Sequence, residues 1–184
     1  MTQSLIIVTG APGTGKSTLA PLLAQRYACT LLDKDTIKEE LFDILGTGDA
    51  AWSRRLSNAS FATLFALAAN ELARGASLLL EGNFRVGEHD DTMRAVLARG
   101  PSSLRCVQVL CTAAEPLRLA RLERRASEAA RHAGHLDGAR THAQNRQGFL
   151  QIPGGRCSYD SATGSQATQR GLYAALDALL QQAN

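Results

Sequence analysis

The chain has 184 residues, of which 45% are hydrophobic and 20% are charged, and its formal net charge at pH 7 is +3. These values are typical of one folded domain and exclude a disordered chain. The isoelectric point of 8.8 is only mildly basic, less than a dedicated nucleic-acid-binding protein usually shows, and anionic or phosphorylated small ligands account for it equally well.

The cysteines and the N-terminal residues indicate a cytoplasmic protein. Cys29, Cys106, Cys111 and Cys157 form no C-x-x-C pair, so we expect buried, reduced thiols and no disulfide framework. No charged leader precedes the apolar run Leu5–Val8, which is far too short for a signal peptide or a membrane span. We therefore expect no membrane association.

Strand and helix patterns alternate from the first residues. Ser4–Thr9 is a short β-branched apolar run, typical of a strand buried on both faces of a parallel sheet. Helix spacing follows over Lys16–Tyr27, with Pro21 expected to kink that helix without ending it. The later predicted elements are strand Thr30–Asp33, helix Thr36–Leu45, helix Trp52–Arg74, strand Ser77–Leu80, helix His89–Arg99, strand Arg105–Cys111, helix Glu115–Arg131 and helix Gly171–Ala183.

Two local signals add detail to this order. Thr36 and Glu39 match a capping box, which predicts that the second helix starts at Thr36. His132–Gly155 has little apolar periodicity and is interpreted as a mobile segment. Repeated strand–helix units without an internal repeat or a linker predict one α/β domain, a parallel sheet covered by helices on both faces.

A phosphate-binding loop is the most specific feature of the sequence. The stretch from Gly10 to Ser17 fits G-x-x-x-x-G-K-[ST] at every fixed position and lies between a predicted strand and a predicted helix. Triphosphate oxygens require several inward-pointing backbone N–H groups, a helix N-terminus and a movable cation, here Lys16, while the Ser17 hydroxyl can bind Mg²⁺. We predict ATP and Mg²⁺ as ligands. The predicted nucleotide-binding residues are Gly10, Pro12, Gly13, Thr14, Gly15, Lys16, Ser17 and Thr18.

Other nucleotide-binding classes fit less well. A G-x-G-x-x-G dinucleotide site fails because no third glycine follows Gly13 and Gly15 at the required spacing. The N-K-x-D tetrapeptide that reads guanine does not occur in the chain, which disfavours a GTPase.

Four further stretches accompany the loop in a recognisable order. They are Leu32–Asp35, Leu79–Phe84, Arg121–Arg125 and Arg131–His135. Together with the loop, they resemble the P-loop kinases related to polynucleotide 5′-hydroxyl kinase, chloramphenicol phosphotransferase and the zeta-toxin kinases, a group often described as ATP-binding or AAA-type. The resemblance runs from residue 4 to about residue 137.

The resemblance implies a three-layer P-loop fold that occupies residues 1–184 as a single domain. Its five-stranded parallel sheet would have the adenylate-kinase-like strand order, and a mobile lid would lie at about 115–155. It also implies that Asp35, just beyond the second strand, accepts the proton of the attacking hydroxyl. The alternative for Asp35 is a helix N-cap beside Thr36, and Asp33 is a reserve candidate for the base.

The remaining implied site residues are one carboxylate and two arginines. Glu81 stands where the family more often has Asp, as the second group near Mg²⁺ beside Ser17; its alternative is a strand-end cap. Arg121 and Arg125 would reach the transferring phosphoryl group.

The basic helix and the histidines after it also have simpler interpretations. Arg118, Arg121 and Arg125 recur at helical spacing, so they could form a solvated basic face, and Arg118 and Arg124 are expected to meet Glu115 and Glu128 or solvent. His132, His135 and His142 have no partners at zinc-ligand spacing, and lid chemistry is preferred to a metal for them.

Three functions follow from these patterns. The preferred one is an ATP-dependent kinase that phosphorylates a hydroxyl of a small molecule. A nucleotide-binding ATPase or switch acting through a protein partner is the second, and a polynucleotide 5′-hydroxyl kinase is the third, disfavoured because no aromatic residues lie among the basic residues of 118–131. Acceptor contacts are expected within 42–60 and 84–94, with Phe42, Trp52, Phe84 and Arg85 as wall residues.

Overall fold

The computed structural model describes residues 2–127, 132 and 148–181, which form a five-stranded parallel sheet covered by helices. In chain order the elements are β1 (Ser4–Thr9), α1 (Lys16–Arg26), β2 (Thr30–Asp33), α2 (Lys34–Leu45), α3 (Ala50–Ala73), β3 (Leu78–Glu81), α4 (Asp90–Leu97), β4 (Arg105–Thr112), α5 (Glu115–Ala126), β5 (Gly155–Asp160) and α6 (Gln166–Gln181). The strand order is β2-β3-β1-β4-β5, and every pairing is parallel. The predicted fold class is confirmed.

The strand alternation of β1 explains why helices cover both faces. Leu5 and Ile7 point into a cluster that includes side chains of α3 and α4, whereas Ile6 and Val8 point into a second cluster formed with α1 and α6. All four side chains have no exposed surface. Because successive strand residues face opposite sides, a continuous apolar run requires two packed faces.

The start of α2 differs from its prediction. The helix begins at Lys34 and not at Thr36, because the carboxylate of Asp33 accepts the backbone N–H of Asp35 at 2.8 Å. The Thr36 hydroxyl also donates to Asp33, at 3.2 Å. Asp33 thereby satisfies donors of the first helical turn, and the capping box predicted for Thr36 and Glu39 is wrong.

The fifth strand was missed in the sequence because its pattern is weak. Gly155–Asp160 lies at the sheet edge and alternates half-buried with exposed residues, without a fully buried run. The final helix begins at Gln166, earlier than the predicted Gly171. The other element ends lie within a few residues of the predictions, and α1 continues through Pro21.

Some predictions concern residues outside the described ranges. The described part of α5 ends at Ala126, and most of the predicted lid and mobile segment, residues 128–131 and 133–147, lies outside the described residues. All four cysteines are free thiols, and Cys106 and Cys111 are buried. Among the described helices, none combines the length and apolarity that crossing a bilayer requires.

Candidate active site

The phosphate loop joins β1 to α1 in a conformation that requires glycine. Gly10 has φ +143°, and a Cβ atom there would lie 2.3 Å from the carbonyl oxygen of Cys111. Gly13 has φ +82°, and its Cβ would lie 2.8 Å from the carbonyl oxygen of Arg118. A larger residue would therefore both strain the backbone and push the loop away from β4 and α5.

Internal hydrogen bonds hold the loop in this shape. The hydroxyl of buried Thr14 donates to the carbonyl of Ala11 at 2.7 Å, and the Lys16 ammonium donates to the same oxygen at 3.2 Å. Ser17 and Thr18 begin α1 and are exposed. The loop thus presents a helix N-terminus, a lysine and two hydroxyl groups to one side, the arrangement that favours anions.

Ser17 and Glu81 form the candidate magnesium site. The Ser17 hydroxyl donates to Glu81 Oε2 at 3.1 Å, and Lys16 Nζ lies 4.0 Å from Glu81 Oε1. Burial raises the pKa of Glu81 to about 7, Lys16 and the Ser17 hydrogen bond lower it, and the carboxylates of Asp33 and Asp35 raise it further. A hydroxyl beside a carboxylate fits Mg²⁺, which prefers oxygen ligands.

Asp35 lies in the first turn of α2, just beyond the end of β2. Its carboxylate accepts from the Lys34 ammonium at 2.9 Å, and 42% of its side chain is exposed. Asp33, and not Asp35, provides the helix cap. The helix-cap interpretation of Asp35 is therefore wrong.

Two arginines of α5 bind the carbonyl side of the phosphate loop. Arg118 Nε donates to the carbonyl of Pro12 at 3.3 Å, and Arg121 Nη1 donates to the carbonyl of Gly13 at 3.1 Å. Arg121 is also fixed by Ser161, at the end of β5, through hydrogen bonds of 2.7 and 3.1 Å. The expectation that Arg118 meets Glu115 or solvent is wrong, because the loop carbonyl is its partner.

One cavity of about 640 Å³ is bordered by the loop, by α2 and by α5. Its loop side is formed by residues from Gly13 to Thr18, and its α2 side includes Asp35 and Glu39. Arginines of α5 form a third side, which includes Arg124; its predicted partner Glu128 lies outside the described residues. The lining arginines are Arg121, Arg124 and Arg125.

A fourth side of the cavity was not foreseen from the sequence. It consists of residues from β5, the following loop and α6, namely Tyr159, Ser161, Gly164 and Gln169. These residues could have been found only by recognising β5, since the carboxyl ends of parallel strands share one edge of the sheet.

Several predicted residues do not line this cavity. Gly10, Pro12 and Thr14 support the loop from behind, and buried Glu81 reaches the site only through its contacts with Ser17 and Lys16. The predicted acceptor-wall residues, Phe42, Trp52, Phe84 and Arg85, do not line the cavity either. Phe42 and Phe84 are core residues with 2% and 0% exposure.

The histidines have no metal site within the described residues. His132 Nε2 lies 3.0 Å from Asp43 Oδ1, and its ring stacks on Phe42 with centroids 5.4 Å apart. His135 and His142 lie outside the described residues. In the part of the chain that the structure describes, no three His, Cys, Asp or Glu side chains converge on a possible metal position.

Comparisons with known proteins identify the family. Residues 5–147 match the family model described as an AAA domain. A provisionally assigned kinase from Chloroflexus aurantiacus is 33% identical, with a TM-score of 0.86 over 98% of this chain and all of that one. The search of curated proteins found no match.

More distant structures share the fold. A gluconokinase from Sinorhizobium meliloti is 15% identical with a TM-score of 0.58, over 99% of this chain and 94% of that one. The APS kinase of Mycobacterium tuberculosis, solved with AMPPNP and APS, is 21% identical with a TM-score of 0.55, over 96% and 98%. The chain belongs to the AAA domain family and has the fold of P-loop kinases.

Proposed function

We propose that this protein is an ATP-dependent phosphotransferase that moves the γ-phosphoryl group of ATP to a hydroxyl of a small molecule. The observation that carries the proposal is the shared cavity, whose lining combines Lys16 and Ser17 of the loop with the carboxylate of Asp35 and the guanidinium groups of Arg121 and Arg125. A nucleotide-binding switch needs the loop but has no need of a carboxylate and arginines in the same cavity.

The roles of the residues follow from their charge and position. Asp35 accepts the proton of the acceptor hydroxyl as the hydroxyl oxygen attacks the γ-phosphorus of ATP. The bond between the γ-phosphorus and the β–γ bridging oxygen breaks, and ADP leaves. Lys16 binds the β- and γ-phosphates, and Arg121 and Arg125 stabilise the charge that spreads over the γ-phosphoryl oxygens. Mg²⁺, held through Ser17 and Glu81, would supply further positive charge to the phosphate oxygens.

The nucleoside part of ATP has a matching region of the cavity. Leu22, Tyr159 and Gln169 add apolar surface and hydrogen-bonding groups to the cavity lining. Tyr159 lies on β5 and Asp35 just beyond β2, and these strands form opposite edges of the sheet. This division supports a donor end and an acceptor end that meet at Lys16. The family relationship and the 33% identity with the kinase from Chloroflexus aurantiacus support the same reaction class.

The test is transfer of label from ATP radiolabelled at the γ-phosphate. Purified protein is incubated with pools of nucleosides, sugars, hydroxylated antibiotics and 5′-hydroxyl oligonucleotides. The proposal predicts label in a small-molecule product and none with Lys16→Ala, which removes the loop cation. Label only in oligonucleotides would favour the polynucleotide kinase, and label only in inorganic phosphate would favour the ATPase or switch; either result would contradict the proposal.

A further inference from the structure

An almost completely buried lysine contacts the proposed base. Lys34 is the first residue of α2, and only 3% of its side chain is exposed. Among the described residues its ion-pair partner is the carboxylate of Asp35, 2.9 Å from its Nζ atom. Asp35 borders the cavity and Lys34 does not, so the lysine can act on the site only through the carboxylate that it contacts.

This position is physically unfavourable for a lysine. A buried ammonium loses its hydration, and a cation in the first turn of a helix opposes the helix dipole. A single partly exposed carboxylate offsets only part of that free energy. A methionine of similar length would fill the same space without either disadvantage, so stability alone does not explain a lysine here.

Two neighbours of Lys34 lie on other elements of the fold. The Nζ atom of Lys34 lies 5.6 Å from the ring centre of Phe61 in α3. Gly82 follows β3, and a Cβ atom at Gly82 would lie 3.3 Å from Lys34 Cβ and 3.4 Å from the ring of Phe84. Gly82 thus leaves space beside the base of the lysine side chain. A buried side chain has little freedom to move, so the ammonium restrains the partly exposed carboxylate that it contacts.

We propose that Lys34 is a positioning residue for phosphoryl transfer: it holds the carboxylate of Asp35 toward the acceptor end of the cavity. The inference rests on the proposed function, because it assigns Lys34 an effect only through Asp35. The acceptor proton goes to Asp35 as described above, and Lys34 keeps its own proton throughout. Orientation of a catalytic group is a recognised source of rate, and small displacements reduce it strongly.

The test is a double-mutant cycle on transfer from γ-labelled ATP to the pool of nucleosides, sugars and hydroxylated antibiotics. Lys34→Met should lower kcat by roughly 10- to 100-fold and leave the KM for ATP within about twofold. Its Tm should not fall, because Asp35 is exposed enough to be hydrated without the lysine. In an Asp35→Asn background, Lys34→Met should cause no further loss.

The outcomes separate the inference from the proposed function. The positioning role would be overturned if Lys34→Met kept the full kcat, or if it lowered kcat equally in the wild-type and Asp35→Asn backgrounds. The single variant Asp35→Asn would still test whether Asp35 is the base. Full activity of Asp35→Asn, or no transfer by the wild type, would overturn the proposed function and the inference with it. Lys34→Gln is measured in the same cycle, so that a folding defect of the methionine variant cannot decide the result. Lys34→Gln should also lower kcat in the wild-type background and cause no further loss in the Asp35→Asn background.

Discussion

Ser161 holds the guanidinium group of Arg121 through two hydrogen bonds, 2.7 Å to its hydroxyl and 3.1 Å to its carbonyl. The hydroxyl of Ser161 also donates to the carbonyl of Thr112, at 3.3 Å. Ser161 also packs close to the phosphate loop, because a Cβ atom added to Gly15 would lie 3.2 Å from the Cβ atom of Ser161. The residue that follows β5 therefore fixes an arginine of α5 against the loop.

Ser161→Ala should lower kcat by about tenfold, the usual effect of losing one hydrogen bond to a charged group. Arg121→Ala should lower kcat further, and both variants should change ATP affinity less than kcat. Steady-state kinetics provide the measurement, with the exposed Ser103→Ala as the matched control. Equal activity of the Ser161 and Ser103 variants would show that the hydroxyl does not orient Arg121.

Arg125→Ala should also lower kcat more than it weakens ATP binding, because Arg125 borders the cavity at which charge develops. Arg124 borders the same cavity and is not a neutral control. Exposed Arg99, which lies outside the cavity lining, provides the matched loss of charge. A similar loss with Arg99→Ala would indicate general electrostatic attraction and contradict a specific role for Arg125.

Glu81→Gln should raise the Mg²⁺ concentration that gives half-maximal activity, because an amide replaces the carboxylate that contacts Ser17. Ser17→Ala should shift the Mg²⁺ dependence in the same direction. A titration of activity with Mg²⁺ at fixed ATP provides the measurement. If both variants kept the wild-type midpoint, the Ser17–Glu81 pair would not be the metal site.

Gln108→Leu should reduce the free energy of unfolding by roughly 1–3 kcal/mol. The Gln108 side chain is fully buried in β4 and pairs with Leu150, accepting from its N–H at 2.7 Å and donating to its carbonyl at 3.2 Å. Arg156 also donates to that carbonyl, so the N–H loses its partner and the carbonyl keeps one. Urea unfolding measures the change. An unchanged midpoint, equal to that of the exposed control Gln151→Ala, would contradict this account.

Stability should fall as the pH drops below about 6.5, partly because of His89. Its ring lies 4.2 Å from Phe61 and its Nδ1 accepts the N–H of Arg85 at 3.0 Å. Burial is the main reason that the pKa of His89 is lowered. The charge of Arg85 also lowers this pKa, whereas Glu88 and Asp90 raise it. At acidic pH the folded state then binds fewer protons than the unfolded state. The stability that neutral His89 contributes is therefore complete above the pKa of the unfolded state, and it is lost as the pH falls through the lower pKa of the folded state.

His89→Asn keeps an acceptor near Arg85 but cannot gain that charge. Unfolding free energies at pH 7.5 and 5.5 should therefore differ less in the variant than in the wild type. An equal pH dependence in both proteins would mean that His89 does not contribute to it.

The phosphate loop and the sheet could be predicted because their signals are local. The positions of Gly10 and Gly13 are dictated by the loop itself, and the apolar run of β1 reports two buried faces. The start of α2 was predicted wrongly because Thr36 and Asp33 are both good capping residues, and the backbone path after β2 decides between them.

The rest of the site depends on contacts distant in sequence. Lys34 carries no local sign of burial, since lysine is usually exposed and its cover comes from Phe61 and the space beside Gly82. Ser161 could not be identified as a partner of Arg121 while β5 was unrecognised, because 40 residues separate the pair. Asp35 and Glu81 were identified as candidate site residues by the resemblance to a family. The periodicity of the sequence alone would have indicated only a helix start and a strand end at these positions.

The measurement that tests the central claim most directly compares ATP binding and phosphoryl transfer in Asp35→Asn. The change keeps the size of the side chain and removes the proton acceptor. We predict that ATP affinity stays at the wild-type value while transfer to the acceptor falls by roughly 10²- to 10⁴-fold, the range for a positioned base. An equal loss of ATP affinity and transfer would place Asp35 in the nucleotide–Mg²⁺ site, and full retention of transfer would remove it from catalysis; either result would contradict the account.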